Sequence, residues 1–190
     1  GYSKHKPAEP LYTSLDALRA LDLFKPHEFN DWGDLPEGIP GLPDYNTSDA
    51  SGGPSHRIIP ELQMGGLIDA ETDGFPSNDA LGDDTDNLDD EDGISFPPAL
   101  IPGSTATFTM SVVNTTGTTA TAYAFIDWNA DGDFNDLNEV LTATILGSGD
   151  LPLTFSIPAT AATNTDFGLR FRLSTDEGLG PDGPATDGEI

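Results

Sequence analysis

A stretch of oxygen-bearing side chains, FIDWNADGDFNDLNEV at residues 125–140, has the spacing of a calcium-binding loop. Asp127, Asn129 and Asp131 stand at alternate positions, and Gly132 follows them. In a calcium loop, alternate residues direct oxygen atoms to one centre, and a glycine at the sixth position permits the sharp turn. The pattern therefore predicts a calcium site whose ligands are Asp127, Asn129, Asp131, Asp133 and Glu139.

The sequence around this loop differs from the helix-loop-helix setting in which such loops are best known. The twelfth position is Asn138 rather than an acidic residue, and Glu139 comes one place later. The preceding residues, TAYAFI, have the composition of a strand. We therefore predict a calcium loop that joins two strands of a β-hairpin. The alternative is an acidic surface turn without a metal, because Asp, Asn and Gly favour turns in any case.

A second acidic run, GDDTDNLDDEDG, occupies residues 82–93. Two carboxylates about 4 Å apart repel each other by roughly 1 kcal/mol in water, so a compact loop of this composition favours a bound cation. The spacing fits no standard calcium loop, and a solvated charge run is the alternative. The ligands predicted for this second calcium site are Asp84, Asp86, Asp89 and Asp92. More distant carboxylates that could complete either site are Asp31, Asp34, Asp187 and Glu189.

The charge balance limits the partners of the chain. Its 7 Lys and Arg residues face 33 Asp and Glu residues, which gives a net charge of −26. Such a surface repels nucleic acid and anionic membranes, and no apolar run approaches the ~18 residues that span a bilayer. No positively charged residue lies between Arg57 and Arg170, so the acidic loops must draw their cations from solution. The absence of cysteine excludes disulfides and thiol chemistry.

The sequence lacks a recognisable catalytic pattern. Its three histidines, His5, His27 and His56, are scattered, and no nucleophile elbow or triad context accompanies them. A pair of carboxylates could serve glycoside hydrolysis, but a chain with 33 acidic residues contains many such pairs by chance. We expect a protein that is not an enzyme, in which His56 is a structural hydrogen-bonding group.

Alternating apolar and polar residues after residue 94 predict the strands that must position these loops. In STATFTMSVV, the apolar residues on one face are Ala106, Phe108, Met110 and Val112. LPLTFSIP and FGLRFRLS repeat the alternation, whereas ATAYAFI and EVLTATIL have mixed patterns. Several short strands separated by turn residues predict an all-β fold, an antiparallel β-sandwich with long calcium-stabilised loops.

The first thirty residues differ from the rest of the chain. They contain all three lysines and the segment TSLDALRALDLF, which predicts a short helix with Leu15, Leu18 and Leu21 on one face. From residue 31 to about 93 the chain is rich in Gly, Pro and Asp but retains apolar residues for burial, so we predict loops with some buried anchors. The predicted organisation is an N-terminal arm or helix, 1–30, and a β-sandwich domain, 31–190.

Four large side chains have two interpretations each. Trp32 and Trp128 each adjoin an aspartate, and we expect them to pack beneath the acidic loops, with exposed sugar-stacking platforms as the alternative. Arg170 and Arg172 lie on the outward face of the FGLRFRLS strand. We expect these arginines to pair with carboxylates or to brace loops, rather than to bind a ligand.

Several pieces of the chain, taken in order, resemble the GEVED domain, a module of large secreted and surface-attached bacterial proteins. They are DWGDLPEG, SGGPSHRI, DAETDGFPSNDALGDDTDNLDDEDGI, FIDWNADGDF and LRFRLSTDEGLGPDGPATDGEI, which together extend over residues 31–190. The resemblance implies an extracellular, β-rich, non-catalytic module that is often found beside adhesion-type or repeat domains. It also implies that the family's acidic signature positions are Asp83 to Asp92 and Asp127 to Asp133 here.

The resemblance has one departure, at the end of the chain. The sequence stops at Gly188-Glu189-Ile190, where the family motif would continue through Glu-Asp into a final strand. A sandwich without that strand would expose an edge that another chain can pair with, and the relatively basic arm has the charge to dock on an acidic neighbour. We expect residues 1–30 either to contact an identical or adjacent subunit or to fold back on their own domain.

These observations lead to one main expectation and one alternative. The main expectation is an extracellular calcium-binding structural or adhesion module of a secreted or cell-surface protein, and a candidate subunit of a self-assembling surface filament. The alternative is a carbohydrate- or surface-recognition module of a larger secreted enzyme, acting through Trp32 or Trp128.

Overall fold

The computed structural model describes residues 30–68, 70–82 and 91–190, and almost all of its regular structure is β-strand. Two single turns of 3-10 helix occur, at Asp49–Ser51 and Glu91–Gly93. The ten strands are β1 (Asn30–Trp32), β2 (Ser55–Arg57), β3 (Leu62–Met64), β4 (Ile94–Ser95), β5 (Thr105–Asn114), β6 (Thr119–Ile126), β7 (Val140–Leu146), β8 (Gly149–Ser156), β9 (Leu169–Ser174) and β10 (Pro184–Ala185).

Two sheets pack against each other around the main core. In the first sheet, β5 pairs antiparallel with β8 along one edge and with β3 and β4 along the other. In the second sheet, β6 lies between β7 and β9 and is antiparallel to both. The predicted face of β5 points into the core, because its alternate residues bury their apolar side chains there. The predicted all-β antiparallel sandwich is confirmed.

The mixed pattern of β6 arises because both faces of this strand are buried. One face carries small residues and contributes Ala120, Ala122, Ala124 and Ile126 to the main core. The opposite face carries aromatic residues and belongs to a second core, which consists of Leu35, Tyr45, Tyr123, Phe125 and Phe134. Burial on both sides removes the alternation that a half-exposed strand would show.

A third, smaller layer is built from the loop-rich part of the chain. There β2 pairs antiparallel with β1 and parallel with β10. The region 31–93 is mostly loop in its described parts, as predicted, and Leu62 and Met64 anchor it in the main core. By contrast, Leu67, another apolar residue of this region, is 46% exposed.

The end of the chain and the strand β7 form two different edges. Leu173 of β9 exchanges backbone hydrogen bonds with Glu189, at 2.9 and 3.1 Å, so the last residues pair with β9. Within the described ranges, β7 pairs with β6 alone, and its other edge is open.

The predicted arm and its helix lie outside the described residues, except for Asn30, which begins β1. No helix in the described part is long and apolar enough to cross a membrane.

Candidate functional site

The predicted acidic loop joins β6 to β7 across residues 127–139, so it does lie between two strands of a hairpin. The backbone N–H of Ile126 donates to the carbonyl oxygen of Glu139 at 2.8 Å and closes the base of the loop. Gly132 has a φ of +94°, which is the left-handed conformation that its place in the pattern requires. The backbone therefore turns sharply where the calcium-loop spacing predicts a turn.

Asp127, the first residue of the loop, is fully buried and holds the loop from below. Its Oδ1 accepts a hydrogen bond from the N–H of Asp131 at 3.2 Å, and its Oδ2 accepts one from the N–H of Gly132 at 2.9 Å. The hydroxyl of Tyr45 also donates to Oδ2, at 2.7 Å, and accepts from the N–H of Gly168. Burial and the adjacent Asp127 raise the pKa of Tyr45, which keeps its donating proton in place.

Glu139, at the far end of the loop, is also buried and braces the loop from inside. Its Oε1 accepts from the N–H of Trp128 and its Oε2 from the N–H of Asp136, both at 2.9 Å. Burial raises the pKa of Glu139, the two N–H donors lower it, and the negative charges of Asp127 and Asp136 raise it further. The folded loop therefore holds the carboxylate of Glu139 close enough to those of Asp127 and Asp136 for their charges to repel one another.

Three oxygen-bearing side chains meet on the exposed side of the loop. The Nδ2 atom of Asn129 lies 2.9 Å from Oδ2 of Asp131 and 2.6 Å from Oδ2 of Asp136. The two ends of an asparagine amide have nearly the same shape, so a half-turn of the group presents its oxygen at this point. Asn129, Asp131 and Asp136 would then form an all-oxygen set of the kind that calcium prefers.

This geometry shows where each predicted ligand lies but does not test calcium binding. Asp127 and Glu139 use their carboxylate oxygens to hold backbone N–H groups, and Asp133 accepts from the N–H of Asn135 at 2.8 Å. Asp136, which the spacing argument omitted, lies with Asn129 and Asp131. In the described part of the chain, no three His, Asp or Glu side chains converge as a metal-binding group. The exposed set contains two carboxylates and an amide, so calcium binding here stays a prediction.

The second predicted calcium site falls largely outside the described residues, where Asp84, Asp86 and Asp89 lie. Asp92 is described, and its Oδ1 accepts a hydrogen bond from the N–H of Gly66 at 2.9 Å. This bond fixes the turn that follows β3, which is a structural role. The ligand set at Asp84, Asp86, Asp89 and Asp92 stays a prediction.

The distant carboxylates mostly support backbone elsewhere in the fold. Asp31, Asp34 and Glu189 are buried, as is Glu71. Asp31 accepts from the N–H of Ile190 at 2.6 Å, and Glu189 accepts from the N–H of Met64 at 2.7 Å. The carboxylate of Asp187 accepts hydrogen bonds from the hydroxyl of Ser174 and from the backbone N–H and hydroxyl of Thr175. These hydrogen bonds lead to β1, β3 and β9 rather than to the loop after β6.

Arg170 and Arg172 face away from the main core but are buried, at 3% and 0% exposure, because the third layer covers them. Arg170 forms an ion pair with Asp182 at 3.0 Å, and its guanidinium lies 5.7 Å from the ring centre of Phe134. Arg172 donates to the carbonyl oxygens of residues 180, 182 and 183. The prediction that these arginines brace loops is therefore confirmed, while the outward face is not a solvent face.

His56 completes this arginine network in the third layer. Its Nε2 accepts a hydrogen bond from Nε of Arg172 at 2.9 Å, so its Nδ1 carries the proton and donates to the carbonyl oxygen of Asp187 at 2.8 Å. Burial, and then the charge of Arg172, lower the pKa of His56 to about 3. Both ring nitrogens are engaged, which confirms the structural role predicted for this residue.

Both tryptophans pack inside the protein. Trp128 is 2% exposed, its Nε1 donates to the carbonyl oxygen of Asn138 at 2.9 Å, and its ring contacts Phe155 and Phe167. Trp32 is 6% exposed. The expectation that Trp128 lies beneath the acidic loop is confirmed. Neither indole presents the exposed face that sugar stacking requires.

Sequence reasoning missed the long-range partners of the loop. Tyr45 and Gly168 are distant in sequence from Asp127, and Tyr45 lies in a Pro- and Asp-rich stretch without periodicity. Phe134, within the loop, stacks on Tyr45 with ring centres 5.3 Å apart. The two aromatic residues inside the acidic loop, Trp128 and Phe134, were the available signal that the loop is attached to a core.

Comparison with known proteins gives one match. The GEVED domain family matches residues 121–190, which run from β6 through the acidic loop to the end of the chain. This match confirms the resemblance and contains both buried arginines, but residues 31–120 lie outside it. No curated protein and no solved structure matches the chain.

Proposed function

We propose that this chain, which carries a GEVED domain at residues 121–190, is a non-catalytic structural module of an extracellular protein, and that its acidic loop binds calcium. GEVED is a domain of extracellular proteins, which supports a secreted or cell-surface location. The observation that carries the calcium proposal is the meeting of Asn129, Asp131 and Asp136 on the exposed side of the loop. Calcium at this point would join three side chains that otherwise bring together two like charges.

The distribution of positive charge supports a cation from solution. Between residues 30 and 190 the positively charged residues are Arg57, Arg170 and Arg172. Two of them are buried in the third layer and donate to backbone oxygens, so they do not neutralise the exposed side of the loop. Hard cations with oxygen ligands are the natural counter-charge for such a surface.

A non-catalytic role is supported by how the candidate catalytic groups are used. His56, the histidine within the described ranges, is buried and has both nitrogens hydrogen-bonded. The most strongly positioned carboxylates, Asp127 and Glu139, hold backbone N–H groups. Groups that are satisfied in this way stabilise the fold and do not have a free site for a reacting atom.

An assembling or adhesive role is supported by the edge of β7, which has no partner strand among the described residues. This strand, VLTATIL, contains no charged residue although the chain has a net charge of −26. Val140 and Leu146 are 49% and 73% exposed at its two ends. Edge strands in monomeric proteins are normally protected by charges, so an uncharged edge suits pairing with another chain, as in a surface filament.

Calcium should raise the thermal stability of the protein measurably. If the loop binds calcium with a dissociation constant near 10 μM, about 1 mM calcium adds roughly 2.7 kcal/mol, which raises Tm by about 5–10 °C for a chain of this size. The measurement is a thermal melt with calcium and with chelator. We expect the calcium effect to disappear in the double variant Asp131→Ala, Asp136→Ala.

Asp150→Ala is the matched control for that experiment, because Asp150 is an exposed aspartate on β8. It should retain the full calcium effect. Equal melting temperatures of the unaltered protein in calcium and in chelator would refute the calcium proposal. A calcium effect that survives in the double variant would show that the calcium site lies outside this loop.

A further inference from the structure

One edge of β7 has no partner strand among the described residues, and every second residue of β7 points its backbone groups there. The N–H of Ile126 donates to the carbonyl oxygen of Glu139 at 2.8 Å, where the ladder between β6 and β7 begins. In an antiparallel ladder, opposite residues exchange hydrogen bonds at every second pair. The residues of β7 that bond to β6 are therefore Leu141, Ala143 and Ile145. Those whose N–H and C=O groups face the unpaired edge are Val140, Thr142, Thr144 and Leu146.

The side chains of β7 form two rows, and neither row is fully covered. The residues that face the main core, Leu141, Ala143 and Ile145, are only partly buried. The residues of the opposite row are exposed, and Leu146 at its end is 73% exposed. The strand contains no charged residue, proline or glycine, which are common means of protecting an edge strand from pairing. This edge therefore offers a partner both backbone hydrogen bonds and apolar contacts.

The sequence of β7 is complementary to itself in the antiparallel direction. Outward from Ala143, VLTATIL has a threonine on each side and then two branched aliphatic residues on each side. Two copies paired about Ala143 place threonine opposite threonine and aliphatic opposite aliphatic residues, and such pairs contribute roughly 0.2–1 kcal/mol each. The neighbouring registers place threonine opposite valine or leucine and pair fewer residues.

We propose that β7 pairs antiparallel with β7 of a second copy of this chain, about a two-fold axis at Ala143. This register brings together the residues whose backbone groups face the unpaired edge, and it forms about eight backbone hydrogen bonds. The three-stranded sheets of the two copies become one continuous sheet. Because both copies use the same surface, the contact closes at two copies, and a filament needs a second contact. The inference rests on the assembling role proposed above and names its partner.

A single cysteine tests the register, because the protein has no cysteine of its own. In the proposed dimer, the two copies of residue 143 are directly opposite, with Cα atoms about 4.5 Å apart, which a disulfide can span. In the control Leu146→Cys, the two cysteines are about 20 Å apart, although this position is more exposed. We expect Ala143→Cys to form a disulfide-linked dimer at least about tenfold faster than the control.

The oxidation is carried out in about 1 M sodium chloride. Each copy has a net charge of −26, so two copies repel each other at low salt. At about 1 M salt the screening length falls to about 3 Å, which removes most of this repulsion and leaves strand pairing in place. The linked dimer is measured by gel electrophoresis without reductant.

The variant Thr142→Pro provides a second measurement that does not depend on cysteine chemistry. The N–H of Thr142 faces the unpaired edge, so proline removes a donor to the second copy and leaves the bonds to β6 in place. The matched control, Thr142→Ser, retains the N–H. Sedimentation velocity in the same salt should give a dimer dissociation constant at least about tenfold higher for the proline variant than for the serine variant.

Equal disulfide rates for Ala143→Cys and Leu146→Cys would overturn the proposal, as would equal dissociation constants for the two Thr142 variants. If the unaltered protein still associates in either case, assembly uses another surface, and the assembling role stands without this partner. An unaltered protein that stays monomeric in about 1 M salt at millimolar concentration would overturn both the β7 dimer and the assembling role. The calcium proposal is tested separately by the thermal melt.

Discussion

Replacing Arg172 with methionine should lower the free energy of unfolding by roughly 4 kcal/mol or more. The side chain is fully buried, and it donates to three backbone carbonyl oxygens and to Nε2 of His56. Methionine fills similar space but removes the donor to the buried Nε2 of His56 and the donors to the partly buried carbonyl oxygens, and each group left unsatisfied away from water costs about 1–3 kcal/mol. Urea-induced unfolding followed by circular dichroism measures the loss.

Arg57→Met is the matched control for this substitution. Arg57 is the exposed arginine at the end of β2, so its replacement should change stability by less than about 0.5 kcal/mol. If Arg172→Met were as stable as Arg57→Met, the buried arginine would contribute little. The third layer would then have to be held by its apolar contacts alone.

Acidification below pH 6.5 should destabilise the protein through His56. The pKa of this histidine is about 3 in the folded protein, against an ordinary value of 6.5, because burial and Arg172 both disfavour its charged form. Between these two values the unfolded chain binds a proton that the folded chain does not. The free energy of unfolding therefore falls by about 1.4 kcal/mol for each pH unit, and by on the order of 5 kcal/mol at the acid end.

The variant His56→Gln isolates this contribution, because glutamine does not titrate. Between pH 6.5 and 5, the slope of its unfolding free energy against pH should be smaller than that of the unaltered protein. The difference approaches about 1.4 kcal/mol per pH unit, because the variant takes up nearly one proton fewer on unfolding. The raised pKa of Glu139 acts in the opposite direction, since that group binds its proton more readily when folded, but it is present in both proteins. Identical pH profiles for the two proteins would show that His56 can become charged without opening the third layer.

The sandwich could be predicted from the sequence wherever a strand buries one face. In β5, apolar and polar residues alternate from Thr105 to Val112, and both the strand and its core face follow from that pattern. The end of β8 shows the same signal at Leu153 and Phe155. For such strands, burial of one face against the core is the dominant stabilising effect. It requires apolar residues at alternate positions, and that alternation is visible in the sequence.

The third layer could not be predicted, because nothing local encodes it. The outward face of β9 carries Arg170 and Arg172, which normally indicate solvent. Here backbone carbonyl groups of residue 46 and residues 180–183 accept hydrogen bonds from both guanidinium groups, which offsets most of the cost of burying them. Among the described residues, Nε of Arg170 alone of these donors has no hydrogen-bond partner. The segments that supply this cover have few apolar residues and no periodicity.

The acidic loop was predictable in its spacing but not in its support. The alternation of oxygen-bearing residues and the turn at Gly132 are local features, and they predicted the shape of the loop. The contacts that hold it in place are not local, since Tyr45 lies 82 residues from Asp127. In the folded loop the carboxylates of Asp127 and Glu139 accept backbone N–H groups, and Asp136 lies beside Asn129 as an additional candidate ligand. The predicted ligand set stays a prediction.

The most direct test of the calcium proposal is an anomalous difference map from crystals grown in abundant calcium. The proposal predicts a peak on the exposed side of the loop, about 2.3–2.6 Å from oxygen atoms of Asn129, Asp131 and Asp136, with the amide of Asn129 turned to present its oxygen. Ordered water alone at that point, with the Asn129 Nδ2 still donating to both carboxylates, would contradict it.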